Sequence, residues 1–152
     1  SDAEVGHGVL REMGVKDIGQ ACVIRKGRVL GREDITGTDA LLAGLGPENG
    51  DLTLEGMFAE GDELSIDGKA LLTSIRAESH DAAGAGGILY KTPKPDQDRR
   101  ADLPTIGPMT ALRAANAGLD GIVIEAGGVI VLEASRVIAI LDEMEMFLWA
   151  RP

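Results

Sequence analysis

The chain has 152 residues, 44% of them apolar, 26% charged and only 3% aromatic, with a net charge of −10. That length supports one domain with a real core, built here from Val, Ile, Leu, Ala and Met, and the acidic balance argues against general nucleic-acid binding, which needs a basic surface. A single cysteine, Cys22, excludes an internal disulfide framework, and no apolar run approaches the roughly 18 residues that span a bilayer.

The chain starts at Ser1-Asp2-Ala3, directly before a helix and without a methionine, as a fragment or an excised domain does. No signal peptide is read. Residues 4–13 put Val5, Val9, Leu10 and Met13 on one face of a short amphipathic helix that Gly14 ends. His7 lies in it with no second His at helical spacing, so a metal pair is not formed. Ala21-Cys22-Val23-Ile24 reads as a buried strand, with Cys22 a small core residue rather than a nucleophile, since no basic group adjoins it. Arg25-Lys26-Gly27-Arg28 is a hairpin turn, and residues 29–33 return as a second strand.

Thr36-Gly37-Thr38-Asp39 precedes the apolar run Ala40-Leu41-Leu42. Thr38 or Asp39 suits a helix cap; both also suit contact with a ligand, and spacing does not separate the two uses. Residues 46–67 hold seven acids and no Lys or Arg. They are expected to form a solvated loop with one short hairpin, 52–54 against 64–66, and their spacing does not match a calcium loop. A capped helix is predicted over 67–76, with Leu71, Leu72 and Ile75 inward. A glycine-rich stretch then leads into a strand at 88–90.

A loop dense in charge follows. Residues 91–108 carry Lys91, Lys94, Arg99 and Arg100 together with Asp96, Asp98 and Asp102, against the acidic trend of the whole. Prolines forbid regular structure through most of it. Gly107 and Pro108 suit the N-cap and first position of the next helix. Cations beside such a helix start would make a phosphate site, and the carboxylates could hold a divalent metal or orient water. A solvated loop with compensating surface ion pairs is the plain alternative. A helix over 109–117, a strand over 121–125, the turn Ala126-Gly127-Gly128, a run at 129–132, a helix over 134–144 and a strand over 146–149 complete the chain. Gly127 and Gly128 suit either a tight hairpin turn or close approach of backbone N–H groups to a ligand. Alternating helices and short apolar strands make the class α/β, a three-layer domain with a mixed central sheet flanked by helices.

In one order the chain carries Asp17-Ile18-Gly19-Gln20, Gly37-Thr38-Asp39, the run Lys91-x-Pro93-Lys94-Pro95-x-Gln97-Asp98-x-Arg100-x-Asp102-Leu103-Pro104-Thr105-Ile106-Gly107-Pro108, and Glu125-Ala126-Gly127-Gly128. This resembles the C-terminal domain of the LpxI-type UDP-2,3-diacylglucosamine pyrophosphatases over most of the chain except residues 46–86. The resemblance implies a bacterial hydrolase of lipid A biosynthesis that cleaves the pyrophosphate of a nucleotide-linked glycolipid to UMP and 2,3-diacylglucosamine 1-phosphate with a divalent metal, usually Mg²⁺. It implies that residues 1–152 are one catalytic domain, that an N-terminal partner domain is absent, and that 46–86 is an insertion. Asp98 and Asp102 are the candidates for catalysis and for the metal, with Asp98 preferred. Lys91, Lys94, Gln97, Arg100, Thr38, Asp39, Thr105, Gly127 and Gly128 are the candidates for substrate binding. A cytoplasmic protein is implied, in peripheral contact with the inner face of the inner membrane through its lipid substrate, and a homodimer. Thr36 stands where the family commonly has Glu. The competing expectation is a non-catalytic module of the same fold that binds an anion or a nucleotide-linked lipid.

Overall fold

The computed structural model describes residues 1–15, 19–48, 52–94 and 103–152. Asp2–Val15 forms α1, followed by the antiparallel pair β1 (Ala21–Arg25) and β2 (Arg28–Arg32). The turn between these strands is fixed from α1: the Asp2 carboxylate accepts the backbone N–H groups of Lys26 and Gly27 at 2.8 and 2.6 Å. Next come α2 (Thr38–Ala43), α3 (Ile66–Ser79), β3 (Ile88–Lys91), β4 (Thr105–Ile106) and α4 (Pro108–Asn116). The chain closes with β5 (Gly121–Glu125), β6 (Ile130–Val131), α5 (Ala134–Glu143) and β7 (Phe147–Arg151).

Five strands make one mixed sheet in the order β2-β1-β3-β5-β7. β1 runs antiparallel to both neighbours, while β3, β5 and β7 are parallel. Strand alternation sends side chains to two faces. Cys22, Ile24, Ile88, Tyr90 and Val123 pack under α1 with Ala3, Leu10 and Met13. Ala21, Val23, Leu89, Ile122 and Ile124 face the opposite way, into a larger core with Leu42, Leu72, Leu112 and Ile140 from the other helices. The predicted three layers are therefore present, with one helix on one side of the sheet and four on the other among the described residues.

Several local expectations change. The stretch 52–54 forms no strand; a single bridge joins Phe58 to Leu64. Ser65 is the N-cap of α3, its hydroxyl accepting the Gly68 N–H at 2.9 Å, so Ile66 opens a helix rather than ending a hairpin. The region 46–86 contributes to the core through Met57, Leu72 and Ile75, all buried. Thr105 and Ile106, expected in an irregular loop, pair in parallel with Ile130 and Val131 as a separate two-stranded sheet. The run after Gly127-Gly128 consequently makes no hairpin with β5.

Candidate functional site

In the parallel half of the sheet, ligands are expected beyond the carboxyl ends of the strands. Lys91 is the last residue of β3 and stands at that end. It is only 9% exposed. Its Nζ donates to Thr38 Oγ1 at 3.1 Å and to the carbonyl of Thr105 at 2.9 Å. The Thr38 hydroxyl in turn donates to Glu33 Oε1 at 2.6 Å, and the other Glu33 oxygen accepts the Gln20 backbone N–H at 2.5 Å.

Local sequence explains how these side chains meet. β2 ends at Arg32, so Glu33 is the first residue to leave the sheet, still tied to β1 by its N–H to the Ala21 carbonyl at 2.9 Å. Asp34 then shapes a turn, accepting the Thr36 N–H at 2.8 Å on its carboxylate and the Gly37 N–H at 3.1 Å on its carbonyl. Gly37 sits at φ +94°, a conformation that suits glycine. This turn delivers Thr38 back over Glu33. Gly37 is the N-cap of α2 and no side chain caps it. The cap expected of Thr38 or Asp39 is thus not made, because the Thr38 oxygen is engaged between a carboxylate and an ammonium, both stronger partners than a neutral backbone N–H.

Burial of Lys91 pushes its pKa below the ordinary lysine value, and the negative charges of Glu33 and Asp39 partly restore it. Asp39, in the first turn of α2, lies 3.9 Å from Arg113 Nε of α4. Arg113 also lines a cavity of about 510 Å³ with Gly44, Pro47, Leu52 and Asn116. α4 starts as expected at Gly107-Pro108, and the Thr110 hydroxyl accepts the Gly107 N–H at 3.1 Å.

The structure therefore brings Lys91, Thr38, Asp39 and Thr105 into one site, with Thr105 contributing its carbonyl. Lys94 is half-buried nearby in sequence. Asp98, Asp102, Gln97 and Arg100 lie outside the described residues. Gly128 is buried, its N–H donates to the Glu125 carbonyl at 3.1 Å, and an added Cβ would stand 2.8 Å from Pro93 Cγ. Its bareness lets Pro93 approach the turn. Gly127 sits in the same turn at φ +74° and is exposed.

Glu33 is the residue that sequence reasoning passed over as a strand end. The signal was weak: one acid at the close of an apolar strand, a turn away from Gly37-Thr38-Asp39. Among the described residues no group of three His, Cys, Asp or Glu side chains converges as a metal site. Both Glu33 oxygens are already engaged by hydrogen bonds, and the described residues do not by themselves make a divalent-ion site.

Two comparisons with known proteins bear on the family. Residues 1–149 match the LpxI C-terminal domain. Over 147 residues, 97% of the chain, it is 37% identical to a Caulobacter vibrioides protein named UDP-2,3-diacylglucosamine pyrophosphatase LpxI. The match covers 43% of that relative, so the chain spans less than half its length. By sequence along nearly its whole extent, this chain belongs to the LpxI C-terminal domain family.

Proposed function

We propose that the protein containing this chain hydrolyses the pyrophosphate of UDP-2,3-diacylglucosamine to UMP and 2,3-diacylglucosamine 1-phosphate, in lipid A biosynthesis. Family membership and the name of the Caulobacter relative support the reaction class. The observation that carries it to this site is Lys91, a buried ammonium fixed at the end of β3 between the Thr38 hydroxyl and the Thr105 carbonyl.

The chemistry asked of these residues is limited. Water attacks one phosphorus, the bridging P–O bond breaks, and the departing phosphate takes the electron pair. The water's proton goes to a carboxylate, Asp98 or Asp102. Lys91 neutralises charge that builds on a phosphate oxygen, an effect that is stronger in a buried site than in water. Lys94, Gln97 and Arg100 would bind the remaining phosphate oxygens, Arg100 in a bidentate manner. The reaction is proposed to need a divalent metal such as Mg²⁺, with Asp98 and Asp102 as its ligands. A further domain, N-terminal to this one, is proposed to complete the lipid site. The proposal also places the protein in the cytoplasm, as a homodimer in peripheral contact with the membrane. No described helix is long and apolar enough to cross a membrane.

The test is an assay of the full-length protein with UDP-2,3-diacylglucosamine and Mg²⁺, following UMP, alongside Asp98→Ala and Asp102→Ala. Release of UMP that collapses in either variant supports the proposal and assigns the aspartate. Well-folded protein that binds the substrate but releases no UMP with any common divalent metal would make this a binding module.

A further inference from the structure

We propose that Glu33 is a positioning residue of this site: by accepting the hydrogen bond of the Thr38 hydroxyl it turns that oxygen's lone pairs to Lys91 and fixes the ammonium where it meets a phosphate oxygen of the substrate. The inference deepens the hydrolase reading above and rests on it for the identity of the phosphate.

The direction of the chain of hydrogen bonds is dictated by chemistry. A carboxylate only accepts, and an ammonium only donates. A threonine hydroxyl has one proton and can both donate and accept. Placed 2.6 Å from Glu33 Oε1 and 3.1 Å from Lys91 Nζ, the Thr38 hydroxyl must donate its hydrogen bond to Glu33 and accept one from Lys91. The Thr105 carbonyl takes a second ammonium proton at 2.9 Å. An ammonium has three, so one is left over after these two described acceptors.

Glu33 is itself held from two sides. Its Oε2 accepts the Gln20 N–H, and an added Cβ on Gly19 would come within 3.0 Å of that oxygen and 2.8 Å of the Glu33 carbonyl. The carboxylate is therefore clasped by the approach to β1 on one side and by Thr38 on the other. Thr38 is only 8% exposed and Lys91 9%, so water does not readily substitute for a lost member. The charges that face Lys91 are Glu33, from the end of β2, and Asp39, from α2.

Replacement by glutamine separates positioning from mere packing. Glu33→Gln keeps the shape but has one accepting oxygen and one donating nitrogen. It can accept from Gln20 or from Thr38, not from both. If the amide oxygen stays on Gln20, its NH₂ faces the hydroxyl, and the hydroxyl proton is driven toward the ammonium, donor against donor.

The experiment uses the full-length protein in parent form and as Glu33→Gln, Thr38→Val and Thr38→Ser. It reads kcat and KM for UMP release from UDP-2,3-diacylglucosamine, and the ¹⁵N resonance of the Lys91 ammonium. Thr38→Ser keeps the hydroxyl and is expected to stay within about 3-fold of the parent in kcat, with the resonance retained. Glu33→Gln and Thr38→Val are expected to lose about 100-fold in kcat, the scale of a misplaced catalytic group, with KM changed less than about 3-fold. Both are expected to lose or shift the ammonium resonance. Equal behaviour of Thr38→Val and Thr38→Ser, or an unchanged resonance and kcat in Glu33→Gln, overturns the inference. If the parent releases no UMP the hydrolase reading falls, and the relay is then judged on the resonance alone, where an unchanged signal in Glu33→Gln and Thr38→Val rejects it.

Discussion

Lys91 and Thr38, 53 residues apart in the chain, are joined by a hydrogen bond of 3.1 Å inside the protein. That contact ties the end of β3 to the start of α2, and it makes the charge on Lys91 a feature of the site rather than of the surface. Lys91→Met retains most of the stem volume and removes the charge. UMP release is expected to fall about 100-fold or more, the usual loss for one preorganised electrostatic group. Lys91→Arg should not rescue it, because a planar fork does not present one nitrogen between the Thr38 oxygen and the Thr105 carbonyl as an ammonium does. Steady-state kinetics with a thermal melt of each variant separates lost chemistry from lost fold.

The pH dependence of stability follows from the same burial. The folded pKa of Lys91 lies below its ordinary value of 10.5, chiefly because burial disfavours the charged form. Between the folded and unfolded values the unfolded chain binds more protons, so this group adds stability as pH rises through that window. Below the folded value both states are protonated and the burial penalty is present in full. The unfolding free energy of the parent minus that of Lys91→Met should therefore increase from neutral pH toward 10.5, measured by urea titration. Activity should move the other way, with an alkaline limb set below 10.5 as the ammonium loses its proton.

How far these features could be read in advance depends on how local their causes are. The start of α4 was legible because Gly107 and Pro108 act on their own backbone. The core strands were legible because buried runs such as Ile122-Val123-Ile124 are apolar throughout, and alternation assigned their two faces later. β4 was not, since Thr105-Ile106 is too short to show a period and its partner, Ile130-Val131, follows after a whole helix and strand. Thr38 was read by a local rule as a possible cap, and tertiary partners from β2 and β3 took its oxygen instead. Lys91 stood out by charge and Glu33 did not, because nothing in an acid at a strand end says which hydroxyl will fold onto it. Leu64-Ser65-Ile66 misleads for the opposite reason: its apolar residues suggest a strand, yet Ser65 is a good N-cap and Ile66, which opens the helix after it, is 87% exposed.

The two glycines after β5 should respond differently to alanine. At Gly128 a Cβ would meet Pro93 Cγ at 2.8 Å and Cδ at 3.0 Å, and a rigid proline ring yields little. Gly128→Ala is expected to cost about 1–3 kcal/mol, the range for forcing a methyl into packed space, and to depress turnover by displacing Pro93, two residues from Lys91. At Gly127 nothing lies within 4 Å, and the cost is that of φ +74° alone. Gly127→Ala is expected to lose about 1 kcal/mol. Gly127→Asn should lose less, because Asn tolerates the left-handed region. Urea unfolding of the three variants, with UMP release measured on each, checks the contrast.

Cys22 tests the opposite face of the sheet, under α1. It is fully buried there among Leu10, Met13, Ile24 and Tyr90, with its Sγ 3.8 Å from the Gly6 carbonyl. Burial pushes its thiol pKa up to about 12, so at pH near 8 almost no reactive thiolate exists. Native protein should resist iodoacetamide and react only as it opens, with a rate that tracks global unfolding when mild denaturant is added. Cys22→Ser replaces a small apolar side chain by a hydroxyl in this packed layer and is expected to cost about 1–3 kcal/mol, while UMP release per folded molecule stays close to that of the parent. Rapid labelling of the native protein, or a Cys22→Ser variant whose activity falls while its stability holds, would contradict a purely structural role for this side chain and would connect the α1 layer to the chemistry on the far side.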